Sequence, residues 1–599
     1  MAMLARACVF LLFAFTQAHA ATNLALNRPA TASSTQMTGY EAARAFDGST
    51  GTRWSSLYSD PQWISVDLGA VYNISGVKLR WEAAYAKSFR IEVSANSTQW
   101  TTIYSTASGQ GGINDIAGLS GTGRYVRMYG LARGTAWGYS LWEFEVYGTP
   151  SSTTPPPDVA AFPIKRSANG RYLTDQNNKP FLVTADSPQS LVPNLTEAQA
   201  DTYFANRKAL GFNAAWINVA AFYPFYPSPS RSDGATYDGI RPFTGYVAGG
   251  TDGMHYDIRK PNVAYFARLD RMLALAAKHG ILVFLVPLDT GSALQLLRNN
   301  GTSAAYAFGQ YLGNRYKNTP NIVWMSGNDF NGSKTGGACV SECQPGDNAI
   351  VQALANGIKS VDPAHLQTVL IWWPSASDAT WAPLIQINLA YTYAATYLQM
   401  LSAYNQTANM PLILGEAHYE GEQVGNPTDF GTPLVVRRQA YWAMLSGGAG
   451  QFYGNAYIWT FKAGWNNNLN TPGAVQISYL KSLFSSLAWY NLVPDQTHAL
   501  VTAGYGSPGN SSTRVSQSDY CTAAMTPDGT QAAAYMPTAR TITVNMAKFS
   551  KAVTASWFDP ANGTQAAIAG SPFANSGTRQ FTPPAKNSAG DSDWVLVLK

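Results

Sequence analysis

Residues 151–157 read SSTTPPP, and such a run cannot build a core. Proline fixes φ and removes a backbone donor, while Ser and Thr bring little apolar surface, so the segment acts as a semi-stiff spacer. What lies on either side has to fold by itself. The patterning agrees, because it changes at the spacer. Upstream, the short runs WISVDL (63–68), GVKLRW (76–81), FRIEVSA (89–95), RYVRMYG (124–130) and LWEFEVYG (141–148) are separated by Gly, Asn and Ser. That is the pattern of a β-sandwich. Downstream, strand-like runs alternate with helical segments. The runs are FLVTAD (181–186), AAWINVA (214–220), ILVFLVPL (281–288), NIVWMSGND (321–329), TVLIWWPS (368–375), QINLAYTY (386–393), PLILGEAH (411–418) and QFYGNAYIWT (451–460). Eight such repeats predict a (β/α)8 TIM barrel, with an open doubly wound sheet as the alternative. From about Gln496 the chain returns to short β runs such as AAAYMP (532–537), TITVNM (541–546) and DWVLVLK (593–599), which predict a C-terminal β-sandwich.

The first residues read as an address. Arg6 precedes the apolar run ACVFLLFAF (7–15), and Ala18-His19-Ala20 gives a small-x-small cleavage pattern. The run is too short to span a bilayer. The expected layout is multidomain: signal peptide 1–20, β-sandwich 22–149, linker 150–160, barrel 161–495 and C-terminal β-sandwich 496–599. The mature protein is expected outside the cytoplasm, extracellular or periplasmic, as a monomer. The net charge is only +5, which gives no reason to expect nucleic acid or an anionic membrane as partner. Charged residues make up 13%, about half the usual share, and aromatic residues also 13%. Aromatic faces stack on the C–H faces of sugars, so a carbohydrate partner fits this composition. Any single ring is as well explained by the core.

Cys8 leaves with the signal peptide. Cys339 and Cys343 bracket CVSEC in a Gly-rich loop, close enough for a disulfide in an oxidising compartment. Cys521 stands far away and is expected to be buried and free. The chain has no HExxH, G-x-S-x-G, Walker A or G-x-G-x-x-G motif and no zinc spacing of Cys and His.

Barrel chemistry sits at the C-terminal ends of strands. The acids at such positions are Asp186 on the first strand, Asp329 (after Asn328) on the fourth and Glu416 on the seventh. Strands four and seven face each other across a barrel mouth. Two carboxylates there suit cleavage of a glycosidic bond, one as proton donor and one acting on the anomeric carbon or on water. Asn328, His418, Tyr391, Tyr393 and Trp459 are candidates for contacts with substrate. His418 and Glu422 together make a poor metal site. No cofactor is expected for catalysis.

The barrel resembles the apiosidase-like domains of glycoside hydrolase family 140, whose C-terminal domain carries a collagen-binding label. The resemblance spans about Phe162 to Lys599. It rests on KPFLVTADSPQSL (179–191), YFANRKALGFNAAWINV (203–219), NIVWMSGNDFN (321–331) and LILGEAHYEG (412–421). It implies Asp329 as acid/base, Glu416 as nucleophile, and Asp186 as a contact for substrate hydroxyls. The family's usual Gly-Asp-Thr is Ala185-Asp186-Ser187 here. Asp329 is one methylene shorter than the Glu of the wider retaining clan, which leaves inversion open beside retention. The specific sugar is not implied.

The N-terminal region resembles the discoidin, or coagulation factor 5/8 type C, domain and the family 32 carbohydrate-binding modules. The resemblance rests on NLALNRPATASS (23–34), AFDGSTGTRWSS (45–56), QWISVDLG (62–69), SFRIEVS (88–94), RYVRMYG and WEFEVYG. It implies a discoidin-like jelly roll and a structural Ca2+ held by Asp47, Thr52, Glu143 and the carbonyls of Arg44 and Trp142. Oxygen ligands of that kind suit a hard cation. It also implies a sugar site on the end loops, with Glu82, Tyr85, Arg133, Trp137 and Tyr139 as candidates. The expected function is a secreted glycoside hydrolase acting on a complex polysaccharide, of the plant cell wall or an exopolysaccharide. The alternative is a non-catalytic sugar-binding or adhesion protein with a dead barrel.

Overall fold

The computed structural model describes residues 23–94, 97, 100–150, 160–222, 233–330, 344–372, 376, 380–406, 409–425 and 427–599. The signal peptide, the spacer and the Cys339–Cys343 pair lie outside the described residues. The chain forms two compact units, Met1–Val159 and Ala160–Lys599. Among the described residues no helix is long and apolar enough to cross a membrane.

The first unit is an antiparallel β-sandwich of the discoidin type. Two of the sequence runs fuse: 63–68 and 76–81 are halves of one strand, Gln62–Trp81. It pairs along its length with Ile113–Arg133 and shifts register between Asp67 and Tyr72. Gly69 supplies the left-handed turn there, with φ 80°. Trp54, Ile64, Val66, Leu79, Phe89 and Val126 fill the core.

The second unit holds a parallel barrel. Its strands are β1 (Val183–Asp186), β2 (Ala214–Asn218), β3 (Leu282–Val286), β4 (Ile322–Met325), β5 (Gln367–Thr368), β6 (Asn388–Tyr391), β7 (Leu412–Glu416) and β8 (Gly450–Tyr453). They run side by side in the order β5-β4-β3-β2-β1-β8-β7-β6. The ring closes where the Gln386 N–H donates to the Gln367 carbonyl and the Thr368 hydroxyl to the Ile387 carbonyl, each at 2.8 Å. Every strand residue is buried, which is why these segments read as continuous apolar runs rather than alternating ones. Helix α1 (Glu197–Ala209) starts on the Thr196/Gln199 capping box, and α2 (Val263–Lys278) on Asn262. Helix α3 (Thr290–Tyr316) starts on Asp289 and is interrupted at Ala293 and Gly301.

The C-terminal sheets, of six and three strands, pack on the barrel rather than standing apart. The contact is the helix after β7, α4 (Pro433–Leu445). Tyr441 stacks on Tyr535 with centroids 4.9 Å apart, and Arg437 sits between Asp591 and Asp593 at 2.6 Å from each. Cys521 is buried and free.

Candidate active site

Asp329 ends the β4 segment with φ 53°, a left-handed conformation that costs a non-glycine residue about 1–3 kcal/mol. Its surroundings impose that geometry. The Asn328 amide donates to Asp289 Oδ1 at 2.8 Å and to Asp329 Oδ2 at 2.9 Å. The Thr290 N–H donates to Asn328 Oδ1 at 3.2 Å. The first turn of α3 lies so close that a Cβ on Gly291 would stand 3.0 Å from the Asp329 Cβ. Asn328 is fully buried, and its amide hydrogens go to Asp289 and Asp329. Burial first, and then the charge of Asp289, push the Asp329 carboxyl up to about 6.

Glu416 ends β7 opposite and is 8% exposed. Tyr391 is its register partner on β6, and the hydroxyl of Tyr391 favours the ionised form of both Glu416 and Asp329. Tyr391 and Tyr393 share a 2.9 Å bond between hydroxyls, and the Tyr393 hydroxyl lies 3.4 Å from Glu416 Oε1. Burial, followed by the charge of Asp329, holds the Glu416 carboxyl well above its ordinary range. The charge of Glu416 is felt in turn by Tyr419, whose hydroxyl accepts from Gln189 at 2.9 Å.

The remaining sequence candidates divide. His418 is buried behind Tyr393, with Nε2 on the Tyr393 carbonyl at 2.8 Å, and burial lowers its pKa. Gln439 of α4 clamps both its N–H and its carbonyl. Trp459 is half-buried beside Lys462. Asp186 is fully buried, and Tyr203 (2.6 Å), Arg207 (2.5 Å) and the Ser187 N–H (2.8 Å) hydrogen-bond its oxygens. Among the described residues no group of three or more His, Cys, Asp or Glu is arranged to hold a metal. Sequence reasoning missed Asp289 and Tyr419. Asp289 directly follows the apolar run of β3, the same signal that marked Asp329.

Residues 167–491 match the family model of the apiosidase-like catalytic domain, across more than half of the chain. The chain belongs to this family. The apiosidase-like domain is preceded by a match to the F5/8 type C domain over residues 29–144 and followed by one to the "Putative collagen-binding domain of a collagenase" over 510–599. A solved structure titled glycoside hydrolase is 25% identical, with TM-score 0.59, and the match covers 74% of this chain and 97% of that one. A glycoside hydrolase family 5 structure from Bacteroides vulgatus ATCC 8482 shares the fold at 24% identity and TM-score 0.59, covering 73% and 93%. Chitosan-binding module 1 of a Paenibacillus sp. IK-5 chitosanase/glucanase is 58% identical over 21% of this chain and 99% of that one, with TM-score 0.21. No curated protein matches. The apiosidase-like barrel is therefore of glycoside-hydrolase type, and its buried acidic pair sits at the mouth where such barrels react.

In the first unit a cleft of about 270 Å³ is lined by Gln36, Arg53, Tyr58, Glu82, Trp137 and Tyr139, among others. Trp137 and Tyr58 are 59% and 47% exposed and meet edge to face at 5.6 Å. Glu82 pairs with Arg53 at 2.9 Å. Tyr139 contributes little surface, being fully buried with its hydroxyl on Asp60. Arg133 and Tyr85 fall outside the cleft: Arg133 ties Asp60 to the Ala136 carbonyl, and the Tyr85 ring fills the space under Gly134. Asp47, Thr52 and Glu143 come together. The Thr52 hydroxyl lies 2.8 Å from Asp47 Oδ2, and buried Glu143 leaves Oε1 without a partner. Burial and the Asp47 charge push Glu143 up to about 7. Arg44 lies three residues before Asp47, and Trp142 directly precedes Glu143.

Proposed function

We propose that the chain is an exported glycoside hydrolase that cuts a bond within a complex polysaccharide and retains the anomeric configuration. Asp329 protonates the leaving oxygen while Glu416 attacks the anomeric carbon. Asp329 then takes a proton from the water that releases the sugar. The observation that carries this reading is the pair of carboxyls at the ends of opposite strands of the barrel mouth, where the Asp329 charge raises Glu416. Retention is carried over from the resemblance to the retaining clan, in which the two carboxyls stand roughly 5–5.5 Å apart.

Burial raises both carboxyls and so opposes a double charge on the pair. A second reading exchanges the roles, with Asp329 attacking and Glu416 donating, because both carboxyls are held above their ordinary range. The two tyrosine hydroxyls favour an ionised Glu416, and a leaving oxygen beside Asp329 draws the proton across. Trapping with an activated 2-fluoro glycoside, followed by peptide mass spectrometry, separates the readings. The label is expected on Glu416. A label on Asp329 exchanges the roles, and an inverted product without label refutes retention.

The first unit supplies attachment. Trp137 and Tyr58 offer ring faces to a sugar, and Glu82 with Arg53 meets its hydroxyls. A divalent calcium ion fits between Asp47 and Glu143. The fit is supported by the buried, unpartnered Glu143 oxygen and by two acids set together in an all-oxygen donor set.

A further inference from the structure

On the same barrel mouth, toward β1 and β8, runs a cleft of about 620 Å³. The chemistry proposed above uses none of its walls. One wall is the loop after β8, with Phe461, Lys462, Trp465 and Asn466; the other is the turn into α1, with Asn194; Tyr237 lines it as well. The volume falls within the range of small-molecule clefts, about 300–1,000 Å³.

The lining combines two chemistries. Tyr237 is 45% exposed, and half-buried Trp465 is propped edge-on against Phe461 with centroids 5.2 Å apart. Phe461 is itself fixed, packed edge-on against Tyr203 at 5.4 Å. Beside these rings stands a polar group with unmet capacity. Asn194 is 6% exposed; its amide donates to the Thr460 carbonyl at 2.7 Å, and its Oδ1 has no partner among the described residues. The Lys462 ammonium stands 6.0 Å over the Trp459 ring. Exposed ring faces next to amide and ammonium groups match a sugar, which presents C–H faces and a rim of hydroxyls.

The cleft adjoins the catalytic mouth. The Ser190 N–H donates to the Trp459 carbonyl at 3.0 Å, which joins the end of the β1 loop to the β8 loop. The charge of Lys462 acts on Glu422, and that of Glu422 on Glu416.

We propose that this cleft is a remote subsite, which binds a sugar ring of the polysaccharide away from the bond that is cut. The proposal rests on the glycosidase reading for its substrate class, and it is independent of which carboxylate attacks. The test uses the full chain carrying Trp137→Ala and Tyr58→Ala, which remove both exposed rings of the first-unit cleft, and Glu416→Gln, which blocks turnover. Retardation of this protein in gels containing single plant cell-wall polysaccharides reads binding by the barrel. Adding Tyr237→Ala, with melting temperature as a folding control because the ring stands 4.9 Å from the Arg268 guanidinium, is expected to weaken binding about tenfold, or ~1.4 kcal/mol. Trp465→Ala is expected to do the same, with melting temperature as its folding control. In the active chain the same substitutions should raise KM for the polymer far more than for a single-sugar aryl glycoside. Unchanged retardation, or none in any polysaccharide, overturns the subsite. Retardation that depends on Tyr237 in a chain whose active form hydrolyses nothing leaves the subsite standing and removes the glycosidase reading.

Discussion

The two units each set two acids together, at least one of them buried, and they resolve the same electrostatic problem differently. In the first unit burial and the Asp47 charge push Glu143 up to about 7. In the barrel the Asp329 charge raises Glu416, and burial with the Asp289 charge pushes Asp329 up to about 6. Burial is the larger cause in both. The neighbours differ. Glu143 and Glu416 each have an oxygen with no partner, but Asp47 beside Glu143 takes the Thr52 hydroxyl, whereas Glu416 faces the hydroxyl of Tyr393 at 3.4 Å. On the reading proposed above, the first arrangement takes a cation and the second holds and passes one proton. Burying like charges is thus not a signature of one function; the groups placed around them decide what they bind.

The largest effect should come from breaking the proton pair. Glu416→Gln is expected to lower kcat by about 10³-fold or more on every substrate. Asp329→Asn should lose about 10²–10⁴-fold on natural substrates and much less on aryl glycosides, whose leaving groups need little protonation. Initial-rate measurements on both substrate types check this.

Next in size is the cation pair. Saturating calcium should raise the melting of the first unit by the equivalent of about 2–3 kcal/mol at a hundredfold excess over Kd. Chelator should reverse the gain, and Glu143→Gln should abolish it. Calorimetric scans with and without chelator would show an unchanged transition if no ion binds.

The barrel pair should also cost stability. Asp329 titrates higher in the folded chain than unfolded, so the fold binds more protons between about pH 4 and 6 and loses stability as pH rises through that window. Asp329→Asn escapes this loss. It should melt higher at neutral pH by the equivalent of about 1–3 kcal/mol, with the gain gone below about pH 4. A lower melting temperature at neutral pH would count against the buried charge.

The smallest effect belongs to Asp289. Its charge raises Asp329, so Asp289→Asn should move the alkaline limb of the pH–rate profile downward by up to about one unit. A limb that stays in place while kcat falls would assign Asp289 to geometry alone.

Much of the barrel is legible in the sequence. Apolar runs bounded by turn residues mark all eight strands, because each is buried on both faces. An acid at the end of such a run marks Asp329 and Glu416. The same rule marks Asp186 but not its partner Arg207, which lies on the following helix and meets it only in the packed barrel. Asp289 carries the signal but escapes notice, since a helix N-cap and a site acid look alike in sequence. Asn328 is found beside Asp329, but nothing local reveals that Asp289 takes its amide. On the first unit the sequence points to Trp137 and Glu82. It misses Tyr58 because that loop is distant in sequence, and it does not reveal that the Tyr139 ring lies in the core.

The contrast between the two acidic pairs meets its most direct test in one crossed experiment. Calcium binding by titration calorimetry and hydrolysis of a small aryl glycoside are measured on the unmodified chain, on Glu143→Gln and on Glu416→Gln. The expected result is a double dissociation. Glu143→Gln loses the calcium heat and keeps turnover of a small aryl glycoside, while Glu416→Gln keeps the calcium heat and loses turnover. Calcium heat that survives Glu143→Gln, or turnover that survives Glu416→Gln, would contradict the division of cation and proton between the two pairs.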